Sequence, residues 1–283
     1  MDNNIFSGLE DLGLNGIGNL DIFGAEKAKE EKENAVVNMT PEERELDMLF
    51  DKTYTCPVCT HNFKNRTLRT GKAKLLEMKI DLRQKFEFIE PLKYDVVGCP
   101  RCGFTAVTKF FVPMTTVQRK NVLEKITANF KQQPETEGLI SYETAIGRYK
   151  LALANDVVRN AKTSEKAYTC LRAGWLCSSW QESMIESGNV DEAKMATAKA
   201  LEAEFMKNAL EGFNAAVEKE RFPMCGMDEG TVDFLRGAIA YNLGQYDLAA
   251  RTVSKLLTSA SANPRMKDKA RDLKDAIIAA TKA

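Results

Sequence analysis

Histidine is almost missing from this chain: His61 is the only one among 283 residues. A lone imidazole leaves no compelling serine–histidine–carboxylate set and no histidine-rich metal site. Nor does any glycine-rich phosphate loop appear. Gly16-Ile17-Gly18 sits in no strand-to-helix context, so a dinucleotide fingerprint is excluded. No carboxylate pair stands apart from ordinary charged helix faces, and a non-enzymatic role is therefore expected. Net charge is absent too, with 40 Lys and Arg against 40 Asp and Glu, which removes any global argument for nucleic acid. No apolar run approaches the length of a membrane span and no secretory leader pattern is visible, so a cytoplasmic chain without membrane contact is expected.

What the chain does have is cysteine in a pattern. Cys56-Pro57-Val58-Cys59 and Cys99-Pro100-Arg101-Cys102 are two C-P-x-C turns with 39 residues between them. Paired turns of this kind present four soft thiolates to one tetrahedral ion, and the expectation is a single structural Zn²⁺ on Cys56, Cys59, Cys99 and Cys102. Proline presets φ for each bend, and Gly103 follows the second turn where a positive φ is common. A redox reading of Cys56-Pro-Val-Cys59 would need a helix start in a βαβ layout, which the following residues do not offer. A catalytic metal would need one open position, and His61 would be the substitute ligand; four cysteines already complete the shell. The total of seven cysteines is odd and fits a reducing compartment. Cys170 and Cys177 lie about 10 Å apart along one helix, too far for a disulfide.

Charge is unevenly spread. Residues 1–47 carry twelve acidic and four basic side chains, and residues 52–110 carry five acidic and twelve basic. The run Lys64, Arg66, Arg69, Lys72 and Lys74 offers two readings: compensation of a negative thiolate centre, or a contact for nucleic acid or an acidic partner. Residues 1–38 read as a disordered acidic–hydrophobic tail and linker, with Phe6, Leu9, Leu12, Ile22 and Phe23 as possible docking contacts for a partner or for a groove of the chain itself.

Residues 39–113 read as a zinc-ribbon domain. Thr40-Pro41-Glu42-Glu43 signals a capped helix running to about residue 50. Short strands are expected over 63–68 and 86–89, a turn and strand over 91–97, and a strand over 104–111 ended by Pro113. So small a lobe needs the ion to be secure. Residues 114–283 turn helical. Tyr142-x2-Ala145-Ile146-x2-Tyr149, Gly188-x-Val190-x2-Ala193 and Gly244-x-Tyr246-x2-Ala249 repeat one phrase, like the second helix of a tetratricopeptide repeat. The spacing exceeds the usual period, so the helices after Thr163 and Asn189 are expected to be long. Trp175 is expected in the core and Trp180 facing a groove. Met184, Met206, Met224 and Met227 are expected as packing.

At these residues the chain resembles a bacterial family catalogued as domain of unknown function 2225. The resemblance spans about 54–280. It rests on Cys56-Pro-Val-Cys59 with Phe63, on Pro91-x2-Tyr94-Asp95-Val96 leading into Cys99-Pro-Arg-Cys102-Gly103-Phe104, on Ala145-Ile146-x2-Tyr149-Lys150-Leu151-Ala152, and on Leu171-Arg172-x2-Trp175. Where that family usually has glycine after the first turn, this chain has Thr60. The resemblance implies a zinc ribbon joined to tetratricopeptide-like helices and carries no reaction. The class expected is α+β: a small zinc-ribbon β domain, then an all-α helical-repeat domain. The function expected is an adaptor for a protein or peptide; a nucleic-acid-binding regulator using the ribbon is the alternative.

Overall fold

The computed structural model describes residues 39–260 and 262–282. Phe6, Leu9, Leu12, Ile22 and Phe23 lie outside the described residues. The chain divides into two units, Met1–Asp47 and Met48–Ala283.

In the first unit, α1 (Pro41–Asp47) starts with the expected capping box. Glu43 N–H donates to Thr40 Oγ1 at 3.2 Å and Thr40 N–H to Glu43 Oε2 at 2.8 Å. The helix ends at Asp47, short of residue 50, because the next segment is a strand.

That strand, β1 (Leu49–Thr55), opens the second unit and pairs antiparallel with β2 (Asn62–Leu68). Phe50, Thr53, Tyr54 and Thr55 are aromatic or β-branched, and the ladder satisfies their backbone groups as a further helical turn would have. A hairpin of β3 (Leu75–Met78) and β4 (Gln84–Phe86) follows. The strand expected over 86–89 sits earlier in the chain, because Phe88 has φ +60°, which no extended chain adopts. A 3₁₀ turn, Pro91–Tyr94, leads into β5 (Val96–Gly98), which pairs with β6 (Thr105–Val107). The strand expected to reach residue 111 stops at Val107. There the Thr108 amide and hydroxyl both donate to Asp95 O, at 2.8 and 2.9 Å, and turn the chain into a 3₁₀ segment.

Helices account for the rest: α2 (Thr116–Lys125), α3 (Tyr142–Val158), α4 (Thr163–Glu186), α5 (Glu192–Lys219), α6 (Glu229–Asn242), α7 (Tyr246–Thr258) and α8 (Pro264–Lys282). The fold is therefore mixed α+β, small antiparallel sheets followed by helices. From α3 onward each helix packs on the next. The two helices expected to be long, α4 and α5, have 24 and 28 residues. Gly188 and Gly244, at φ +67° and +71°, end α4 and α6 in left-handed turns. A Cβ at Gly212 would stand 2.8 Å from the Ala167 Cβ, so α5 approaches α4 as closely as its backbone allows.

The ribbon shares its core with the helices. Leu49, Leu92, Tyr94, Val96 and Val107 pack in one cluster with Tyr149, Leu171 and Leu176. Polar ties reinforce this contact: Arg172 Nε donates to Asp95 Oδ2 at 2.9 Å, and Trp175 Nε1 donates to Asp81 Oδ2 at 2.9 Å. Tyr94, Asp95, Tyr149, Arg172 and Trp175, residues on which the resemblance rested, thus work as structural connectors. Trp175 is buried as expected. Trp180 is mostly buried too, stacked on Tyr142 with centroids 6.2 Å apart, and with Tyr142 it lines a surface cavity of about 360 Å³, so it borders a groove as expected. Met184, Met206 and Met224 are buried, and Met227 packs against the core.

Candidate metal centre

Each C-P-x-C motif forms the turn of a hairpin, the first between β1 and β2, the second between β5 and β6. The two turns share one hydrogen-bond pattern. In the first, Thr60 N–H donates to Cys56 O at 2.9 Å and Cys56 N–H to His61 O at 2.9 Å. In the second, Gly103 N–H donates to Cys99 O at 3.0 Å and Cys99 N–H to Phe104 O at 2.8 Å. Both need a left-handed residue at the same place, and Thr60 and Gly103 supply it at φ +60° and +76°. Threonine therefore occupies, with strain, the conformation that glycine adopts freely.

The hairpins bring the four sulfurs of Cys56, Cys59, Cys99 and Cys102 within 4.8 Å of one another. Cys56 Sγ stands 3.5 Å from Cys102 Sγ, and Cys59 Sγ 3.6 Å from Cys99 Sγ. Disulfide sulfurs would be about 2.05 Å apart. Four sulfurs around a tetrahedral ion, each about 2.3 Å from it, stand about 3.8 Å from one another. The spacing fits a metal and not a bridge. Electrostatics point the same way, since crowded thiols cannot all ionise without a cation. Contacts with Cys102 and Cys56 hold the Cys99 thiol well below the usual thiol range, whereas contacts with Cys56 and Cys99, and burial, push Cys102 up. A soft or borderline ion would supply the missing positive charge.

Around the quartet lies a small apolar core of Val58, Phe63, Val97, Phe104 and Ala106, with Val122 from α2. Phe111 closes it, its ring 5.2 Å from Phe104 and 6.1 Å from Phe63. The helical region grips the turns by their carbonyls. Arg119 Nε donates to Val58 O at 2.6 Å, Thr127 Oγ1 to Cys102 O at 2.9 Å, and Asn155 Nδ2 to Gly103 O at 3.1 Å. Gln133 N–H adds a bond to Pro100 O at 3.0 Å. Sequence reasoning missed all four. Only Asn155 left a signal, a polar residue on the buried stripe of Ala145, Tyr149 and Ala152.

His61 is not part of the quartet; its ring stacks on Phe63 at 6.4 Å. The basic run does not converge. Arg66 pairs with Asp51 at 3.3 Å and Lys74 with Glu87 at 3.3 Å. Arg69 Nε donates to Leu49 O at 3.0 Å and lies over the Phe50 ring. Lys64 and Lys72 are exposed.

Residues 49–277 match the family model described as "Uncharacterized protein conserved in bacteria (DUF2225)". The chain belongs to the DUF2225 family. No curated protein and no solved structure matches it. The DUF2225 match begins at the first residue of β1 and ends inside α8, so it takes in the cysteine quartet, the residues that grip it and most of the helical region. Among the described residues of this DUF2225 protein, no helix is long and apolar enough to cross a membrane.

Proposed function

We propose that the protein is a non-enzymatic, cytoplasmic adaptor in which one Zn²⁺ fixes a ribbon against a tetratricopeptide-like helical scaffold that binds a protein or peptide. The observation that carries this reading is the closed donor set: four cysteine sulfurs at tetrahedral spacing, three of them buried. Four protein ligands leave no position for water or substrate, and tetrahedral S₄ coordination favours zinc among common ions. Exposed apolar side chains of the helical region support a protein partner: Val157 on α3, Ile185 on α4 and Val190 in the turn after it. Three residues of the basic run, Arg66, Lys74 and Arg69, contact Asp51, Glu87 and Leu49 O, and the run does not converge on one cluster, which favours protein over nucleic acid.

Metal analysis of the full chain purified without added metal is expected to give one zinc per chain, lost when Cys56 and Cys99 become serine. A partner captured from a bacterial lysate by the full chain, and lost on Ile185→Glu, would support the adaptor reading. Turnover of a substrate at the quartet would overturn it. So would DNA or RNA binding that falls steeply with salt and is abolished by reversing Lys64, Arg66, Arg69, Lys72 and Lys74.

A further inference from the structure

A cavity of about 460 Å³ opens beside the second cysteine turn, between that turn, β2, α3 and the connection that precedes α3. Its apolar walls include Pro100, Phe130 and Leu151, and Arg148 and Lys64 supply positive charge. Arg148 is unusual in this molecule. Arg83, Arg159, Arg172 and Arg236 each pair with a carboxylate: Glu182, Asp156, Asp95 and Asp233 respectively. Arg148 has none among the described residues. Its Nη2 donates to the hydroxyl of Thr136, while its Nη1 is buried without a hydrogen-bond partner. A desolvated guanidinium lacking a counter-charge, with one donor unmet, is costly unless something supplies both. Burial accordingly draws Arg148 below the usual arginine range.

We propose that this cavity binds a small organic anion, a monocarboxylate or a phosphate monoester on an apolar body. Its oxyanion displaces the Thr136 hydroxyl from Arg148, a local opening that the buried Nη1 donor also requires before it can bind, and faces Lys64, while the body lies on Phe130 and Leu151. An oxyanion matches the planar fork of a guanidinium bidentately. Glu135 and Glu137, which also line the cavity, favour the singly charged carboxylate over the phosphate monoester, which carries about two negative charges at neutral pH. The site does not depend on the adaptor reading, because it needs neither a partner protein nor the helical scaffold's outer surface.

The test is calorimetric titration of the full, zinc-loaded chain with benzoate and with phenyl phosphate, inorganic phosphate serving as the probe without an apolar body. One of the two aromatic probes is expected to saturate below about 1 mM, and its identity tells carboxylate from phosphate. Arg148→Met is expected to weaken it about tenfold or more, the loss of a charged hydrogen-bond partner. Gly147→Leu is the second arm: a Cβ there meets nothing within 4 Å, so the variant fills the cavity while the fold and Arg148 remain. It too is expected to weaken binding at least about tenfold, and inorganic phosphate to bind more weakly than phenyl phosphate. Saturation by neither aromatic probe, or unchanged affinity in Gly147→Leu, would overturn the proposal. If Arg148→Met fails to fold, the Gly147→Leu result decides.

Discussion

The two cysteine turns test one residue against another in the same backbone. Thr60 pays the left-handed penalty of a β-branched side chain, about 1–2 kcal/mol, and glycine there would recover most of it less the added freedom of the unfolded chain. Thr60→Gly is therefore expected to raise stability by roughly 0.5–1 kcal/mol in urea denaturation. Gly103→Ala goes the other way. Its φ is +76° and its Cβ would lie 2.5 Å from the Phe130 ring, so a loss of more than about 2 kcal/mol is expected. Equal signs for the two changes would mean the turns are not equivalent. The quartet itself was legible because C-P-x-C is local: four residues carry the ligands and the bend together. Arg119, Thr127 and Asn155 were not, since each donates to a carbonyl 25 to 61 positions away in the chain. Arg148 escaped for the same kind of reason, because what singles it out is a missing partner, which no sequence displays.

At the scale of elements, boundaries moved wherever a side chain or a turn overruled propensity, as Phe88 and Thr108 did; the helix starts held. Asp228 caps α6, its Oδ1 accepting from Thr231 N–H at 2.8 Å, and the Thr231 side chain, with that amide, holds its carboxyl below the ordinary aspartate range. A depressed carboxyl stabilises the fold above its unfolded pKa and ceases to do so as pH falls through the folded one. Asp228→Ala is expected to cost about 1 kcal/mol near neutrality, with the difference from wild type shrinking once the cap protonates. Thermal melts at pH 7 and at pH 2.5 check both halves. Asn155 couples two other elements, α3 and the β5–β6 turn. Asn155→Ala removes a buried donor from Gly103 O, and a loss of about 1–3 kcal/mol is expected together with faster surrender of the ion to a chelator.

For the whole second unit, the sequence reading had a ribbon and a helical array side by side; the structure adds how thoroughly they share a core and a set of hydrogen bonds. The shared packing of Tyr94, Val96 and Val107 with Tyr149 and Leu171 arises from long-range contacts that periodicity does not encode. Chelation is accordingly expected to loosen more than the hairpins. Hydrogen exchange followed by mass spectrometry should show lost protection in β1, β2 and α2 and at the C-terminal end of α3, with α6, α7 and α8 unchanged. Loss confined to the hairpins would mean the carbonyl grips carry no energy. Those grips are unequally shared. Side chains Thr127 and Asn155 and the Gln133 amide hold the second turn, whereas among the described residues Arg119 alone reaches into the first, whose Cys59 is also the one sulfur of the four that is not fully buried. The first turn is thus the hinge side of the cage, and an oxidant or a competing thiol arriving from solvent would prise it open there while the second turn stayed moored to the helices.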